Sequence, residues 1–181
     1  MNPMEFTRLA PLMERTRGRS EVGVGLIDGP VALNHPTLAT GKIREIPKAQ
    51  VGSCANANSM ACLHGTLVVG VLYAIGPECT FLLRPIFNEL ASGGEALPGA
   101  TPEELAAAIV DTVKADARII NMSVALARPS SRGERVLEDA LDYAARRGVI
   151  VVAAAGNQGT LGSTAITRHA WVIPVAACDL R

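Results

Sequence analysis

The chain of 181 residues carries 17 basic and 17 acidic side chains, and its one basic cluster, Arg15 to Arg19, reads as an exposed solvated turn, so a charge-built nucleic-acid surface is not expected. Hydrophobic residues make up 49% and aromatic ones 3%, which leaves the core to Ala, Val, Leu and Ile, as in one domain whose parallel sheet is covered by helices. The apolar runs are too short to span a bilayer, and Glu5, Arg8, Glu14 and Arg15 interrupt what a secretory signal would need, so no membrane contact and a cytoplasmic location are expected.

Residues 4–17 place Phe6, Leu9, Leu12 and Met13 at helical spacing, which predicts an amphipathic helix docked on the domain, with residues 1–20 as an amino-terminal extension. Residues 21–27 form an apolar run stopped by Asp28-Gly29-Pro30, the pattern of a central strand that leaves a carboxylate at its carboxyl end. Residues 31–60 are rich in Pro, Gly, Asn and Ser and read as irregular loop with one short strand at 42–46. His64 stands directly before small and β-branched residues that predict a helix over 64–74, buried on most sides and stopped at Gly76-Pro77.

A strand follows at 80–87 and a flexible loop at 92–100. Thr101-Pro102-Glu103-Glu104 then opens a helix, with Thr as cap, Pro in the first turn and acids over the positive end of the helix dipole. Further strands are predicted at 118–123, 149–154 and 171–176, with a helix at 135–147 capped by Gly148. This alternation gives an α/β fold, a doubly wound and mostly parallel sheet with helices on both faces.

Asp28 and His64 alone are a weak pair. A strand-end Asp followed by Gly is more often a turn former, and a His at a helix start is more often a cap. Asn157 adds weight, because it ends the strand that runs through Ala153, Ala154, Ala155 and Gly156, on the same sheet edge as Asp28. A carboxamide there can donate to a developing oxyanion, a contact worth about 3 kcal/mol of transition-state stabilisation. The glycines at 23, 25 and 29 do not make a dinucleotide loop, since they lie in the strand with no helix opening behind them. No Gly-Lys-Ser, Gly-Lys-Thr or His-x-x-x-His occurs, so neither metal nor cofactor is expected.

Four cysteines, Cys54, Cys62, Cys79 and Cys178, lack Cys-x-x-Cys spacing, which weakens a zinc or redox reading. Cys79 and Cys178 read as buried thiols. Cys54 and Cys62 flank a polar loop that they could bridge in an oxidising compartment.

Taken together, Leu26-Ile27-Asp28-Gly29-Pro30, His64-Gly65-Thr66, Ile120-Asn121-Met122-Ser123 and Ala154-Ala155-Gly156-Asn157 resemble the ordered motifs of subtilisin-type serine proteases over residues 21–177. The resemblance implies a subtilisin-like peptidase domain in residues 21–181. It implies that Asp28 orients the imidazole, His64 is the general base and Asn157 the oxyanion donor. Ser123, Val124 and Ala125 would line the substrate cleft, and Ala153, Ala154, Ala155 and Gly156 the S1 side. Asp28-Gly29-Pro30-Val31, His35-Pro36 and Arg84-Pro85-Ile86-Phe87 look most similar to proteases that mature cyanobactin-like precursor peptides.

Two departures concern the cleft: Leu67 replaces the second histidine usual after His-Gly-Thr, and Val124-Ala125-Leu126 replaces Leu-Gly-Gly. A larger one concerns the nucleophile. No Gly-Thr-Ser-Met-Ala type segment follows Asn157; Ser163 and Thr164 fall in a loop, Ser123 sits at the cleft edge, and Cys178 follows a strand with no adjacent base. The expectation is a peptidase domain whose carboxyl-terminal part, with the serine and the last helices, is absent and comes from a further segment or a second chain. The alternative is a pseudoprotease that binds peptide or protein.

Overall fold

The computed structural model describes residues 7–47, 54–87, 89, 100–124, 134–156 and 164–178. Its centre is a six-stranded, all-parallel sheet in the order β2-β3-β1-β4-β5-β6. The strands are β1 (Gly23–Asp28), β2 (Lys42–Glu45), β3 (Thr80–Pro85), β4 (Ala117–Met122), β5 (Ile150–Ala154) and β6 (Val172–Val175). Every residue of β1 is buried, as expected for a strand flanked by β3 and β4 and covered on both faces.

The helices are α1 (Ala10–Arg15), α2 (Met60–Ile75), α3 (Pro102–Lys114) and α4 (Glu134–Arg146). Alternation along β1 divides the core between the two faces. Val24 and Leu26 join Phe81, Leu83 and Val69 of α2, whereas Ile27 joins Leu82, Ile120, Ile109 of α3 and Leu137 and Leu141 of α4. The doubly wound α/β reading therefore holds. The chain runs from β1 outward to β2, returns through α2 to β3, and crosses through α3 to β4 on the other side of β1. The carboxyl end of β1 is thus a winding switch point, where open α/β sheets leave a crevice.

Local chemistry sets the helix ends. Thr101 accepts the Glu104 amide hydrogen bond while Glu104 accepts that of Thr101, a reciprocal capping box. Gly148, at φ +68°, closes α4 with its amide on the Ala145 carbonyl. Ser59 caps α2 by accepting the Cys62 amide hydrogen bond at 3.2 Å.

Three sequence expectations change. The amino-terminal helix spans only Ala10–Arg15 among the described residues and fully buries none of them, since Leu12 points to solvent; Phe6 lies outside the described residues. The helix expected over 64–74 begins at Met60, which puts His64 in its second turn rather than before it. That helix is also not buried on most sides. Ala61, Cys62, Gly65 and Val69 face inward, while Leu63, Leu67 and Val71 are 48%, 67% and 53% exposed, because the described residues cover that side only across an open cavity. The loop expected at 92–100 falls outside the described residues up to 99.

Arg84 is an unusual core residue, 1% exposed within β3. Its Nε and Nη2 donate to Asp111 Oδ2 of α3 at 3.1 and 2.8 Å, and Nη1 donates to the Pro85 carbonyl at 3.0 Å. A buried guanidinium needs such partners, and here they tie α3 to the sheet edge that carries Asp28.

Candidate active site

Two glycines decide the approach of α2 to the turn after β1. A Cβ on Gly65 would lie 2.6 Å from the carbonyl oxygens of both Gly29 and Pro30, and one on Gly29 would collide with the Ala61 carbonyl. Without side chains at either position the helix settles directly against the turn. Thr66 fixes the arrangement by accepting the Ala32 amide hydrogen bond at 2.9 Å.

This approach carries His64 onto Asp28, with Nδ1 2.6 Å from Oδ1. The same oxygen accepts the Gly29 amide hydrogen bond at 2.6 Å. Asp28 is 1% exposed, and its Oδ2 is buried without a hydrogen-bond partner among the described residues. The hydrogen bond that His64 donates to Asp28 holds the His64 pKa above its ordinary value, against the lowering effect of burial and with help from the Asp28 charge. With Nδ1 turned to the carboxylate, Nε2 is the ring nitrogen left to take a proton. The side chain is one-third exposed, so an incoming group can reach it.

The neighbouring strand ends extend the same edge. Ile27 pairs with Met122 and Met122 with Ala153, so Ser123 follows β4 beside Asp28, and Ala154, Ala155 and Gly156 follow on beyond it. Asn121 Nδ2 donates to Ser123 Oγ at 2.8 Å. Val124 turns its side chain into the core, whereas Ala155 and Gly156 are exposed, Gly156 at φ +95°. Ala153 is buried and Ala154 half-buried. Ala125, Asn157 and Ser163 lie outside the described residues. Thr164 exchanges hydrogen bonds with Thr167 in a turn, Cys178 is an exposed thiol and Cys79 a buried one.

The sequence left the state of Cys54 and Cys62 open, and the structure joins them in a disulfide. Around it stands a residue that sequence reasoning missed. Glu89 accepts the Ser59 hydroxyl at 2.7 Å and the amide hydrogen bonds of Ala55 and Asn56. Its partners are 30 to 34 residues away in sequence, so no local pattern announced it. Cys54, Cys62 and Glu89 are also the single group among the described residues whose donor atoms lie close enough for a metal, but both sulfurs are committed to each other. Nothing else near His64 among the described residues offers a metal site.

The chain has relatives among known proteins. Residues 19–179 match peptidase S8, the subtilase family. Subtilisin DY of Bacillus licheniformis is 30% identical over 153 residues, covering 80% of this chain and 50% of that protein. The thermophilic serine proteinase of Bacillus sp. (strain AK1) is 29% identical over 168 residues, covering 91% and 40%. Among solved structures, a mutant of the protease domain of PatA superposes with a TM-score of 0.76 at 27% identity, over 90% of this chain and 60% of that one. The prenylagaramide maturation protease PagA gives 0.68 at 27% identity, over 83% and 51%. The chain therefore spans about half the length of the relatives it matches.

Proposed function

The chain belongs to the subtilase family, and from that premise we propose that it is the Asp- and His-bearing part of a serine endopeptidase that processes precursor peptides. The observation that carries this reading is the 2.6 Å contact between His64 Nδ1 and Asp28 Oδ1 at the carboxyl end of β1. In the proposed reaction a serine hydroxyl attacks the scissile carbonyl, and His64 Nε2 takes its proton and later returns it to the leaving amine. Asp28 holds the ring and stabilises the imidazolium, and Asn157 with backbone amides receives the oxyanion. Substrate would lie along Ser123, Val124 and Ala125 on one side and Ala153 to Gly156 on the other.

The serine comes from a carboxyl-terminal segment or second chain outside these 181 residues. Two features support that. The relatives extend well beyond the matched half, and the apolar face of α2 next to His64 is open where a covering segment would bury it. A peptide-maturation role is supported by likeness to maturation proteases at 27% identity. Among the described residues no helix is long and apolar enough to cross a membrane.

The alternative of a peptide-binding pseudoprotease rests on the lack of a Gly-Thr-Ser segment in the 181 residues. The reading frame after Arg181 and its neighbours separates the two: a Gly-Thr-Ser segment supports the peptidase, a stop with no complementary frame the pseudoprotease. At the bench, a fluorophosphonate probe is expected to label the complete assembly and to lose that labelling on His64→Ala. Peptide hydrolysis by the isolated chain that survives His64→Ala would overturn the role of His64.

A further inference from the structure

The loop that leads into α2 is bound down at both ends. The Cys54–Cys62 disulfide closes it covalently, and Cys62 is fully buried two residues before His64. Glu89 closes it a second time. Its Oε2 accepts the Ala55 amide at 2.9 Å, its Oε1 accepts the Ser59 hydroxyl at 2.7 Å, and the Asn56 amide is shared between the two oxygens. Ser59 in turn caps α2 through the Cys62 amide. On the other side Cys62 Sγ lies 3.8 Å from the Thr66 hydroxyl, whose oxygen holds the Ala32 amide just beyond Asp28. Cys62 thus sits in the first turn of α2, linked to the 54–59 loop by its disulfide and lying beside the Thr66 hydroxyl that holds the turn after Asp28.

We infer that the 54–62 loop is a thiol-sensitive clamp that sets His64 against Asp28, with the disulfide as its covalent half and Glu89 as a positioning residue. The first turn of a helix is where unpaired amides and fraying concentrate, and α2 is exposed along one side, so anchoring this end holds the second turn in register. Glu89 suits the task because its hydrogen bonds from Ser59, Ala55 and Asn56 outweigh the opposing effect of burial and keep its carboxyl below the ordinary range, so it stays charged. A negative charge is also favourable at this end of the helix dipole.

The chemistry that opens the clamp balances with a dithiol reductant. One reductant thiolate attacks the partly exposed Cys54 Sγ, the Sγ–Sγ bond breaks, and Cys62 leaves as a thiolate that takes a proton. The second reductant thiol displaces Cys54 from the mixed disulfide. The pair gains two electrons and two protons, and the reductant ends as its own disulfide.

The effect on turnover rests on the peptidase reading; the effect on the Asp28–His64 pair does not, and the test reads the imidazole. In the 181-residue chain with Cys178→Ser to prevent cross-linking, ring-nitrogen NMR follows His64 in the oxidised protein, after reduction with a small dithiol, and in Cys54→Ser. His169 serves as internal reference. The oxidised chain is expected to titrate above 6.5 and to show a downfield Nδ1 proton; both reduced forms are expected to move toward 6.5 and lose that proton while the amide spectrum of the sheet is kept. Glu89→Ala in the oxidised chain is expected to reproduce part of the shift, and Glu89→Gln a smaller part, since its one carbonyl oxygen can still accept from Ser59 while its amide nitrogen cannot accept from Ala55. An unchanged His64 midpoint after reduction, or a bond that the dithiol does not open in the folded chain, overturns the inference. Should Cys54→Ser not fold, reduction of the already folded protein decides alone.

Discussion

Gly65 sits against the carbonyl of Gly29, a close approach of helix to turn that lets Asp28 and His64 meet. The first prediction is a contrast between two glycines of the same helix. Gly65→Ala places a methyl group 2.6 Å from two backbone oxygens, which cannot be relieved by a rotamer. It should cost about 1–3 kcal/mol in denaturant unfolding and return the His64 titration toward an ordinary histidine. Gly70→Ala meets no atom within 4 Å and should instead stabilise by about 0.5–1 kcal/mol through helix propensity. Equal effects at the two sites would show that the close approach is not what matters.

A second prediction concerns pH. The His64 pKa is raised on folding, so its stabilisation is fully present below the unfolded value of about 6.5 and is lost as pH rises through the folded value. Urea midpoints should therefore fall across that window, and Asp28→Asn should flatten the fall. In the proposed peptidase the base must be neutral, so kcat/KM rises over the same window in which this stabilisation disappears. Asp28→Asn should shift that limb to lower pH as well as depress the rate.

The third prediction tests the buried guanidinium. Asp111→Ala leaves Arg84 charged inside β3 and should cost about 3 kcal/mol, the low end for a broken buried pair, because water reaches one side of Asp111. Arg84→Met, of similar volume, should cost much less. Thermal unfolding of the two variants gives the order directly, and the reverse order would mean that the guanidinium stem rather than its charge fills the site.

These residues also mark what the sequence could say. Asp28 and the strands around it were legible because each sits at the junction of an apolar run and a breaker, where the chemistry is local, whereas His64 was legible through His64-Gly65-Thr66 and its place inside α2 was not. Thr101-Pro102-Glu103-Glu104 was legible for the same reason, being a cap written in consecutive residues. Arg84 was visible as a charge in an apolar run, but its partner Asp111 is 27 residues away and on another element. Glu89 was invisible on the same grounds. The early start of α2 was masked by polar residues before Ser59, although a serine there is a cap signal. The exposed side of α2 could not be read, since apolar composition says that a face wants cover and not whether it has it.

That uncovered side gives the last prediction. Leu63, Leu67, Val71 and Ala74 line one wall of an open cavity of about 460 Å³ that Ala32, His35 and Leu38 close from the other side. Leu67 is the most exposed of these and stands about one turn from His64. Leu67→Glu should leave the folding of the 181-residue chain within about 0.5 kcal/mol, as a surface change does, and should improve its solubility. If the serine-bearing segment seats here, the same change buries an unpaired carboxylate in the joined assembly. Fluorophosphonate labelling should then fall at least tenfold at limiting segment concentration, and recover as that concentration is raised. Full labelling of Leu67→Glu at the lowest concentration that labels the unaltered protein would place the serine-bearing segment elsewhere on the domain.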